Sequence, residues 1–310
     1  MTACLGLDTS NYTTSAAVFD GEGGKNCGKL LEVPEGALGL RQSDALFQHV
    51  KRLPDMFAVL RKDGFLHNIS AVGASTQPRA LIDSYMPCFL PGETVGRCLA
   101  DAMGIPFFAC AHQEGHIAAA AWSAGRMDLL DVPHLAWHLS GGTTELLFVK
   151  PDGFGVRAEC IGGTSDISAG QLIDRTGKYL GLNFPAGKAI DALACQQEKT
   201  NYFRVKVNEF SFSLSGVENQ VKAMLERGES PVSIAGFALD TIGNAVQKVT
   251  YAARMKWPGI PVLFSGGVAS SIRLRQWITD AVFAQPQYST DNAMGVAILT
   301  RRMLLGGENA

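Results

Sequence analysis

The amino-acid sequence predicts an α/β protein with mostly parallel sheets that are covered by helices. Short apolar runs of strand type alternate with stretches of helical periodicity along most of the chain, which is typical of this class. Two further observations support it: a segment near the N-terminus recurs near the middle of the chain, and a buried-type strand in the second half runs directly into a Gly-Gly turn. Together these observations predict two related α/β halves.

The first half is predicted to begin with a hairpin, which residues 5–7 open and residues 15–19 continue as the partner strand. Residues 44–62 carry an apolar stripe at helical spacing and predict a helix in which Pro54 causes a kink or a break. The elements predicted after it are a strand over 69–75, a helix from Pro91 to Gly104, a strand over 105–110 and an Ala-rich helix over 112–123.

A polar, proline-containing connector at residues 128–133 predicts the main boundary of the chain. Beyond it the alternation of strands and helices starts again. The elements predicted there are hairpin strands within 134–149, helices near 168–181, 216–227, 233–256 and 272–283, a strand over 261–265, and a last helix from Ala293.

The internal repeat aligns Leu5–Thr14 with Leu135–Thr144 at a constant offset of 130 residues and without a gap. Both copies have the form strand, Ser-x-x-Thr-Thr turn, strand. Such a turn presents hydroxyl and backbone N–H groups that suit phosphate oxygens, so two related domains of this kind suggest a nucleotide held between two lobes. Two unrelated hairpins with ordinary Ser/Thr turns are the alternative interpretation.

The Gly-Gly turn in the second half is a further candidate for ligand contact. The strand over 261–265 runs directly into Gly266 and Gly267, and a helix is predicted after them. A turn without side chains allows a ligand to approach the backbone closely, as in nucleotide-binding folds. Gly-Gly also ends strands for purely local reasons, so the turn alone does not identify a site.

Composition restricts the classes of function. The chain has 310 residues and a formal net charge of −2, so a nucleic-acid partner must be bound by a local patch or shared with other proteins. No apolar run is long enough to cross a bilayer, and the N-terminus lacks the basic and apolar regions of a signal peptide. Seven scattered cysteines without a C-x-x-C pair favour free thiols, and we expect a cytoplasmic protein.

Two histidines suggest a metal site. His112 and His116 stand at positions i and i+4 of the predicted helix over 112–123, so both imidazoles can reach one metal ion. Structural histidines without a metal remain the alternative. The H-E-x-x-H motif of zinc peptidases does not apply, because Glu114 stands two places after the first histidine instead of directly after it.

Two further residues are candidate ligands. His138 lies on the strand that enters the second Ser-x-x-Thr-Thr turn, although a polar sheet face shared with His134 is the alternative explanation. Asp291 precedes the last predicted helix and is either a carboxylate ligand or an N-cap. A mixed set of histidine and carboxylate ligands suits iron or zinc better than calcium or magnesium.

Nine short motifs, in a fixed order and at similar spacing, resemble one family over nearly the whole chain. They are Leu5-Gly-Leu-Asp-Thr-Ser10, Thr94-Val-Gly-Arg97, His112-x-x-Gly-His116, Ser140-Gly-Gly142, Asp174-Arg-Thr, Leu180-Gly-Leu-Asn-Phe-Pro185, Phe210-Ser-Phe-Ser213, Ser265-Gly-Gly-Val268 and Thr290-Asp-Asn292. With these motifs the chain resembles the TsaD family, the tRNA N6-adenosine threonylcarbamoyltransferases formerly called glycoproteases or M22 peptidases.

The resemblance implies a two-lobed actin-like, sugar-kinase-like ATPase fold (ASKHA), with duplicated α/β subdomains and a nucleotide cleft between them. We expect the N-terminal lobe at residues 1–131, together with a C-terminal helix at about 293–310, and the C-terminal lobe at residues 132–292. The implied reaction transfers the threonylcarbamoyl group from threonylcarbamoyl-AMP to N6 of adenosine 37 in tRNA, assisted by a metal ion. Implied partners are tRNA and other subunits of the threonylcarbamoylation complex, among them a TsaB-like paralogue.

The same resemblance implies roles for individual residues. The implied ligands of one divalent metal ion, iron or zinc, are His112, His116 and Asp291, with His138 where some members have a tyrosine ligand. Ser140, Gly141 and Gly142 match the phosphate turn of the family. Together with Thr143 they are the candidate catalytic residues. The candidates for binding an adenine nucleotide, as threonylcarbamoyl-AMP or ATP, are Ser10, Asn11, Asp174, Gly187, Asp191, Gly266, Gly267 and Ser271.

A structural explanation stays open for one of these residues. Asp174 lies on a predicted helix for which Ser168 and Gln171 form a capping box. It is then an exposed helical residue that pairs with Lys178 at i+4.

Several family positions are changed in this chain. Asn11, Tyr12 and Thr13 stand where the family has a cysteine and two acidic residues, and Thr143 replaces the histidine of the Ser-Gly-Gly-His-Thr turn. The Gly-Pro-Gly loop after the third strand is replaced by a segment that begins Gln77-Pro-Arg-Ala. These changes cluster at the implied chemistry and are typical of a divergent member of a family.

Three hypotheses follow from the sequence. The first is the metal- and nucleotide-dependent transferase acting on tRNA. The second is a catalytically altered or inactive paralogue that binds nucleotide and partner subunits as a scaffold. A metallopeptidase ranks last, because neither a nucleophile–base pair nor an H-E-x-x-H motif is present.

Overall fold

The structure, a computed structural model, describes residues 2–10, 12–33, 40–81 and 84–307. The strands in these ranges are β1 (Ala3–Ser10), β2 (Thr13–Phe19), β3 (Gly24–Leu30), β4 (Ile69–Gln77), β5 (Phe107–Ala111), β6 (His134–Leu139), β7 (Thr144–Asp152), β8 (Gly155–Thr164), β9 (Val207–Asn208), β10 (Ser211–Phe212), β11 (Val262–Ser265) and β12 (Val282–Phe283).

The helices are α1 (Gln42–Lys62), α2 (Leu90–Met103), α3 (His112–Ser123), α4 (Ala169–Tyr179), α5 (Gly187–Ala194), α6 (Ser215–Glu226), α7 (Pro231–Lys256), α8 (Ile272–Arg275) and α9 (Met294–Gly307). Over the part of the chain that the structure describes, none of them combines the length and the apolar character needed to cross a membrane.

The chain divides into two compact units. Unit 1 comprises Met1–Val132, Lys150–Ala158 and Asp291–Ala310, and unit 2 comprises Pro133–Val149 and Glu159–Thr290. The tip of the β7–β8 hairpin therefore groups with unit 1, whereas the sequence-based boundaries assign it to the second lobe. Its backbone is attached to α9, because Arg302 Nε donates a hydrogen bond to the carbonyl oxygen of Phe154 at 3.0 Å.

The sheet of unit 1 has five strands in the order β3-β2-β1-β4-β5. Its central strand β1 pairs antiparallel with β2 and parallel with β4, and all of its residues are buried. Leu5 and Leu7 point to one face, where they pack with Leu53 of α1. Gly6 and Asp8 alternate with them and point to the opposite face, against α9 and α3.

The sheet of unit 2 has seven strands in the order β12-β11-β6-β7-β8-β10-β9. Its strand β6 pairs antiparallel with β7 and parallel with β11, as β1 does with β2 and β4. The five strands β8-β7-β6-β11-β12 thus repeat the order of the sheet in unit 1. The internal repeat found in the sequence is therefore confirmed in the order of the strands.

The core of unit 2 forms between this sheet and α7, the longest described helix. Trp137 of β6 and Phe264 of β11 are fully buried and stack with ring centroids 6.4 Å apart. The indole Nε1 of Trp137 donates a hydrogen bond to Thr250 Oγ1 of α7 at 2.9 Å, so the one polar atom of this ring is satisfied inside the core.

Glycines allow three segments of unit 1 to touch backbone to backbone. A Cβ atom at Gly295 of α9 would lie 1.7 Å from the carbonyl oxygen of Gly115 in α3, so no other residue fits there. A Cβ atom at Gly6 of β1 would lie 2.4 Å from the backbone nitrogen of Ala297 in α9. Strand β1 and helices α3 and α9 are therefore packed as closely as their backbones allow.

The predicted helix over 272–283 is wrong beyond its first turn. Helix α8 ends at Arg275, and Val282–Phe283 form β12, which pairs parallel with β11. Phe283 stacks on Phe264 with ring centroids 4.9 Å apart. Burial of this aromatic ring against the sheet outweighs the helical periodicity of the segment.

Other differences from the sequence prediction concern short or solvated elements. Helix α1 continues through Pro54, so the proline does not break it. Strand β3 has a single buried residue and thus lacks the alternation that would predict a strand. Helix α5 has only eight residues and was too short to be recognised from periodicity.

Gly295→Ala is expected to destabilise the protein, because the added methyl group must push α3 and α9 apart. We expect a loss of about 2 kcal/mol or more in the free energy of unfolding, measured by urea titration with circular dichroism. Gly216→Ala is the matched control: this glycine is exposed in α6, and a Cβ atom there has no neighbour within 4 Å. Equal stability of the two variants would contradict the close helix contact.

His49 of α1 gives a second prediction, on the pH dependence of stability. Its ring is fully buried, Nδ1 lies 2.8 Å from Thr14 Oγ1, and Nε2 has no hydrogen-bond partner among the described residues. Burial lowers the pKa of His49 to about 4, with Arg52 acting in the same direction and Asp8 against it. The folded protein therefore holds this ring neutral at a pH where the unfolded chain protonates it.

Stability should consequently fall as the pH falls from about 6.5 to about 4, by up to about 3 kcal/mol from this residue alone. The unfolding free energy of the wild type and of His49→Gln, measured at intervals from pH 4 to pH 7, tests this expectation. Glutamine can hydrogen-bond to Thr14 but does not titrate, so its profile should be flatter. Parallel profiles of the two proteins would show that His49 does not contribute.

Candidate functional site

Helix α3 begins directly after β5 and presents both predicted histidines on one face. Its first turn is capped by Glu114, whose carboxylate accepts a hydrogen bond from the backbone N–H of Ala111 at 2.6 Å. His112 and His116 are one turn apart, with ring centroids 4.3 Å from each other. Glu114 is thus engaged in capping the helix, while the two imidazoles face a common point.

Asp291 lies just before α9 and meets the two histidines. The Nε2 atoms of His112 and His116 are 2.9 Å apart, and Asp291 Oδ1 lies 3.6 Å from the first and 3.3 Å from the second. Thr13 Oγ1 donates a hydrogen bond to Asp291 Oδ2 at 3.3 Å. Among the described residues, these two histidines and the aspartate form a group whose ligand atoms all lie within 4.8 Å of one another.

The spacing of these three atoms suits a small divalent ion. Two ligands about 2.1 Å from a tetrahedral zinc ion are about 3.4 Å apart. The separations of 2.9, 3.3 and 3.6 Å found here are close to that value. Two imidazole nitrogens and one carboxylate oxygen are donors that iron and zinc accept readily, whereas calcium and magnesium prefer oxygen alone. The residues present therefore fit the metal implied by the sequence.

Asp8 lies directly behind His112, and the sequence analysis did not assign it to the site. Its Oδ2 is 2.6 Å from His112 Nδ1, and its Oδ1 accepts a hydrogen bond from the backbone N–H of Ser10 at 2.9 Å. The carboxylate is buried at the end of a strand whose other side chains are mostly apolar. An acidic residue inside an otherwise buried strand was the available indication of its role.

The charges of these side chains are coupled. Burial alone would raise the pKa of Asp8, but the adjacent His112 outweighs it and lowers that pKa. Burial would also raise the pKa of Asp291, but hydrogen bonds from His112 and His116 hold that pKa well below its ordinary value. Burial would lower the pKa of His112, and the two carboxylates raise it to about 10. The two carboxylates thus stabilise positive charge on the His112 ring that lies between them.

The sequence analysis also assigned His138, Ser10 and Asn11 to the metal or substrate site. His138 belongs to unit 2, where its Nδ1 lies 3.2 Å from Ser265 Oγ. Ser10 is buried at the end of β1, opposite Thr13 of β2, and its Oγ has no hydrogen-bond partner among the described residues. Asn11, predicted to contact substrate, lies outside the residues that the structure describes.

In unit 2, the turn between β6 and β7 carries the candidate catalytic residues. Ser140 Oγ accepts a hydrogen bond from the backbone N–H of Thr143 at 3.0 Å and lies 2.9 Å from Thr143 Oγ1, which closes the turn. Gly141 and Gly142 are exposed. A Cβ atom at Gly170 of α4 would lie 2.4 Å from Cα of Gly141, so a glycine is required where α4 packs against the turn.

The predicted capping box of α4 is confirmed. Ser168 Oγ accepts a hydrogen bond from the backbone N–H of Gln171 at 3.0 Å, and Gln171 Oε1 accepts one from the N–H of Ser168 at 3.1 Å. Ser168 Oγ also donates to the carbonyl oxygen of Gly141 at 2.6 Å. The N-terminus of α4, which is the positive end of its dipole, is therefore fastened to the turn.

A cavity of about 670 Å³ in unit 2 collects most of the predicted nucleotide-binding residues. Those that line it are Asp174, Gly187, Asp191, Gly267 and Ser271, together with Gly141 of the turn. A volume of this size is in the range that holds a small-molecule ligand. Gly266, beside it, has φ of +93°, and a Cβ atom there would lie 2.1 Å from the carbonyl oxygen of Leu139. Only glycine suits that position.

The two acidic residues of this cavity also shape it. Asp191 accepts hydrogen bonds from Ser271 Oγ at 2.5 Å and from the backbone N–H groups of Ile272 and Arg273 at 2.9 and 3.1 Å. Asp174 Oδ1 accepts one from the backbone N–H of Ala186 at 2.9 Å. Asp191 thus holds the start of α8 in place, and Asp174 holds the segment that leads into α5.

A buried ion pair joins α8 to α7, and the sequence analysis did not predict it. Arg273 Nε and Nη2 donate to the carboxylate of Asp240 in α7 at 2.7 and 2.8 Å. Trp277 Nε1 and the backbone N–H of Asn201 donate to the same carboxylate at 3.0 and 3.1 Å. Nothing local links an aspartate and an arginine 33 positions apart, so no pattern in the sequence indicates the pair.

Comparison with known proteins gives related sequences over most of the chain. Residues 47–298 match the family model of TsaD, described as tRNA N6-adenosine threonylcarbamoyltransferase. A protein of that name from Thermus thermophilus is 31% identical over 309 residues, which cover 96% of this chain and 92% of that protein. The one from Enterococcus faecalis is 33% identical over 231 residues, which cover 71% of this chain but less than two thirds (62%) of that protein.

Solved structures with low sequence identity share the fold. Full-length HypF in a phosphate- and nucleotide-bound form has a TM-score of 0.60 at 12% identity, covering 98% of this chain and 46% of that chain. A ROK hexokinase from Thermus thermophilus has a TM-score of 0.51 at 14% identity, covering 100% of both chains. The fold class predicted from sequence, actin-like and sugar-kinase-like, is confirmed.

Asp240→Asn is expected to lower the free energy of unfolding by about 3 kcal/mol, because it leaves the Arg273 guanidinium buried without a counter-charge. Denaturant titration measures the change. Glu93→Gln is the control: it breaks the exposed pair between Glu93 and Arg97 on α2, and such pairs contribute less than about 1 kcal/mol. A small effect of Asp240→Asn, similar to that of the control, would show that the buried pair does not support α8.

Proposed function

This chain belongs to the TsaD family of tRNA N6-adenosine threonylcarbamoyltransferases, and we propose that it transfers a threonylcarbamoyl group from threonylcarbamoyl-AMP to N6 of adenosine 37 in tRNA. The N6 amine attacks the carbamoyl carbon, the bond from that carbon to the phosphate oxygen breaks, AMP leaves, and the nitrogen loses a proton. The chain must therefore bind an adenylate, hold its carbonyl group and admit a base of the tRNA.

The observation that carries the proposal is the cavity of unit 2. Five residues assigned to the nucleotide line it together, and its volume of about 670 Å³ accommodates an adenylate. The carboxylates of Asp174 and Asp191 have lone pairs beyond those used in their backbone hydrogen bonds, which suits ribose hydroxyls. Gly267 adds no side chain, so a planar base can approach the backbone closely.

The turn from Ser140 to Thr143 supports a role in stabilising negative charge. Its glycines expose backbone to solvent, and the start of α4 is fastened behind it by Ser168. The helix dipole and the backbone N–H groups of such a turn favour an anion, which suits the phosphate and the charge that develops on the carbonyl oxygen. Thr143 orders the turn through its contact with Ser140, in place of the titratable ring found in the family.

His112, His116 and Asp291 are proposed to hold one divalent metal ion, iron or zinc. When bound there, the ion supplies Lewis-acid chemistry that orients and polarises a substrate oxygen. Thr13 stabilises the orientation of Asp291, because its hydroxyl donates to the second carboxylate oxygen.

The proposed acceptor, tRNA, is bound by a local surface or together with partner subunits, because a net charge of −2 gives no overall attraction to a polyanion. The target adenine must leave its stack to present N6. Proposed partners are other subunits of the threonylcarbamoylation complex, including a TsaB-like paralogue. All seven cysteines are free, which supports a reducing compartment and hence the cytoplasm.

The test is transfer with defined components. The purified chain, with and without partner subunits, is incubated with threonylcarbamoyl-AMP and unmodified tRNA, and the digested nucleosides are analysed by mass spectrometry. We expect threonylcarbamoyladenosine together with an equal amount of AMP, and none with a tRNA that carries guanosine at position 37. Nucleotide binding without transfer under both conditions would overturn the transferase and favour the scaffold paralogue.

His116→Ala is expected to abolish metal retention, because only two of the three donors remain. Metal content after dialysis, measured by elemental analysis, should fall from about one ion per chain to less than about 0.1. His67→Ala is the control, since His67 is exposed and outside the group of ligands. Equal metal content in both variants would contradict the proposed centre.

A further inference from the structure

The contacts of Asp8 call for an explanation beyond packing. Its side chain is only 1% exposed, and both of its oxygens are engaged, Oδ2 with His112 Nδ1 at 2.6 Å and Oδ1 with the N–H of Ser10 at 2.9 Å. Burying a carboxylate costs several kcal/mol of desolvation, and an apolar side chain in a central strand avoids that cost. Packing of the sheet therefore does not explain a carboxylate at position 8.

We propose that Asp8 is a positioning residue of the metal centre, which holds the Nδ1 proton of His112 and so directs the Nε2 lone pair to the ion. The proposal rests on the metal site proposed above. A neutral imidazole has one N–H, and the hydrogen bond at one nitrogen decides which nitrogen is left for a metal. The nitrogen left by Asp8 is Nε2, which lies 2.9 Å from His116 Nε2.

The surroundings fix both partners of this hydrogen bond. Asp8 pairs with Ser15 across the β1–β2 ladder, and β1 is also paired with β4, so its backbone has little freedom. The ring of His112 packs against Phe89 with centroids 6.0 Å apart and a tilt of 59°. The imidazole therefore cannot turn to offer its other nitrogen without losing the hydrogen bond to Asp8.

Asp8→Asn tests the proposal without a change of volume. The N–H of Ser10 needs an acceptor, so the carbonyl oxygen of asparagine stays with Ser10 and its NH2 group faces His112 Nδ1. Because that group donates, the proton of a neutral imidazole must move to Nε2, the atom that should bind the ion. The substitution thus inverts the tautomer while the shape of the site is preserved.

The measurements use zinc and cobalt alone. We expect the Zn²⁺ affinity, measured by competition with a chromophoric chelator, to fall about 10- to 100-fold in Asp8→Asn. The visible absorption of the Co²⁺ complex should change, because one imidazole ligand is lost. Histidine ¹⁵N shifts should place the His112 proton on Nδ1 in the zinc-loaded wild type and on Nε2 in the variant. A residue needed only for folding would change neither the tautomer nor the cobalt spectrum of folded protein.

Matched variants separate this role from structural effects. Ser15→Ala removes a buried hydroxyl that donates to the Asp8 carbonyl at 3.2 Å, and we expect its zinc affinity to stay within about twofold of wild type. Asp8→Glu keeps a carboxylate acceptor and should recover part of the affinity and the Nδ1 proton. If Asp8→Asn does not fold, Asp8→Glu and Asp8→Gln give the same comparison of acceptor against donor.

The outcomes are distinguishable. If wild type and Asp8→Asn bind zinc equally well, and the His112 proton of the variant is still on Nδ1, the role of Asp8 is overturned. The metal centre is then left intact. Wild type that binds neither zinc nor cobalt would overturn the metal centre and, with it, this role. Transfer to tRNA is not needed for either result.

Discussion

The backbone contact between Gly115 and Gly295 is the constraint on which the candidate metal centre depends. Helix α3 carries both histidines and α9 follows Asp291, so the approach of these two helices sets the separation of the ligand atoms. Metal coordination tolerates errors of only about 0.2 Å, and a single methyl group between the helices exceeds that. Glycine weakens a helix, so Gly295 is explained by its contact with the carbonyl oxygen of Gly115 and not by helix formation.

The two copies of the repeated hairpin contribute to different candidate sites, one in each unit. In unit 1, the copy formed by β1 and β2 places Asp8 and Thr13 against the histidine–aspartate group. In unit 2, the copy formed by β6 and β7 gives the glycine turn, which borders the cavity at Gly141. In both copies, polar groups follow the end of the first strand, β1 or β6. Open α/β sheets commonly bind ligands at this end of their strands.

How far the sequence predicted the structure depended on the distance between interacting residues. The histidine pair, the capping box of α4 and the hairpin repeat are local patterns, and each was found. The alternation of strands and helices predicted the α/β class, and the position of Asp291 before a helix left a ligand or an N-cap open; the family resemblance over nearly the whole chain added the actin-like fold and the ligand role. The contacts of Asp8 with His112 and of Asp240 with Arg273 join distant segments, which no periodicity encodes. The helix predicted over 272–283 failed for the related reason that Phe283 gains more by stacking on Phe264 than by continuing a helix.

The division of unit 1 into segments has a consequence for the synthesis of the chain. His112 leaves the ribosome roughly 180 residues before Asp291, and all of unit 2 is translated in between. At about 5–20 residues per second, this interval lasts about 9 to 36 seconds. During that time the sheet of unit 1 lacks α9 on one face, and the nascent chain has only two of its three donors. Unit 2 can fold first, and the group of two histidines and one aspartate is complete only after Asp291 has been synthesised.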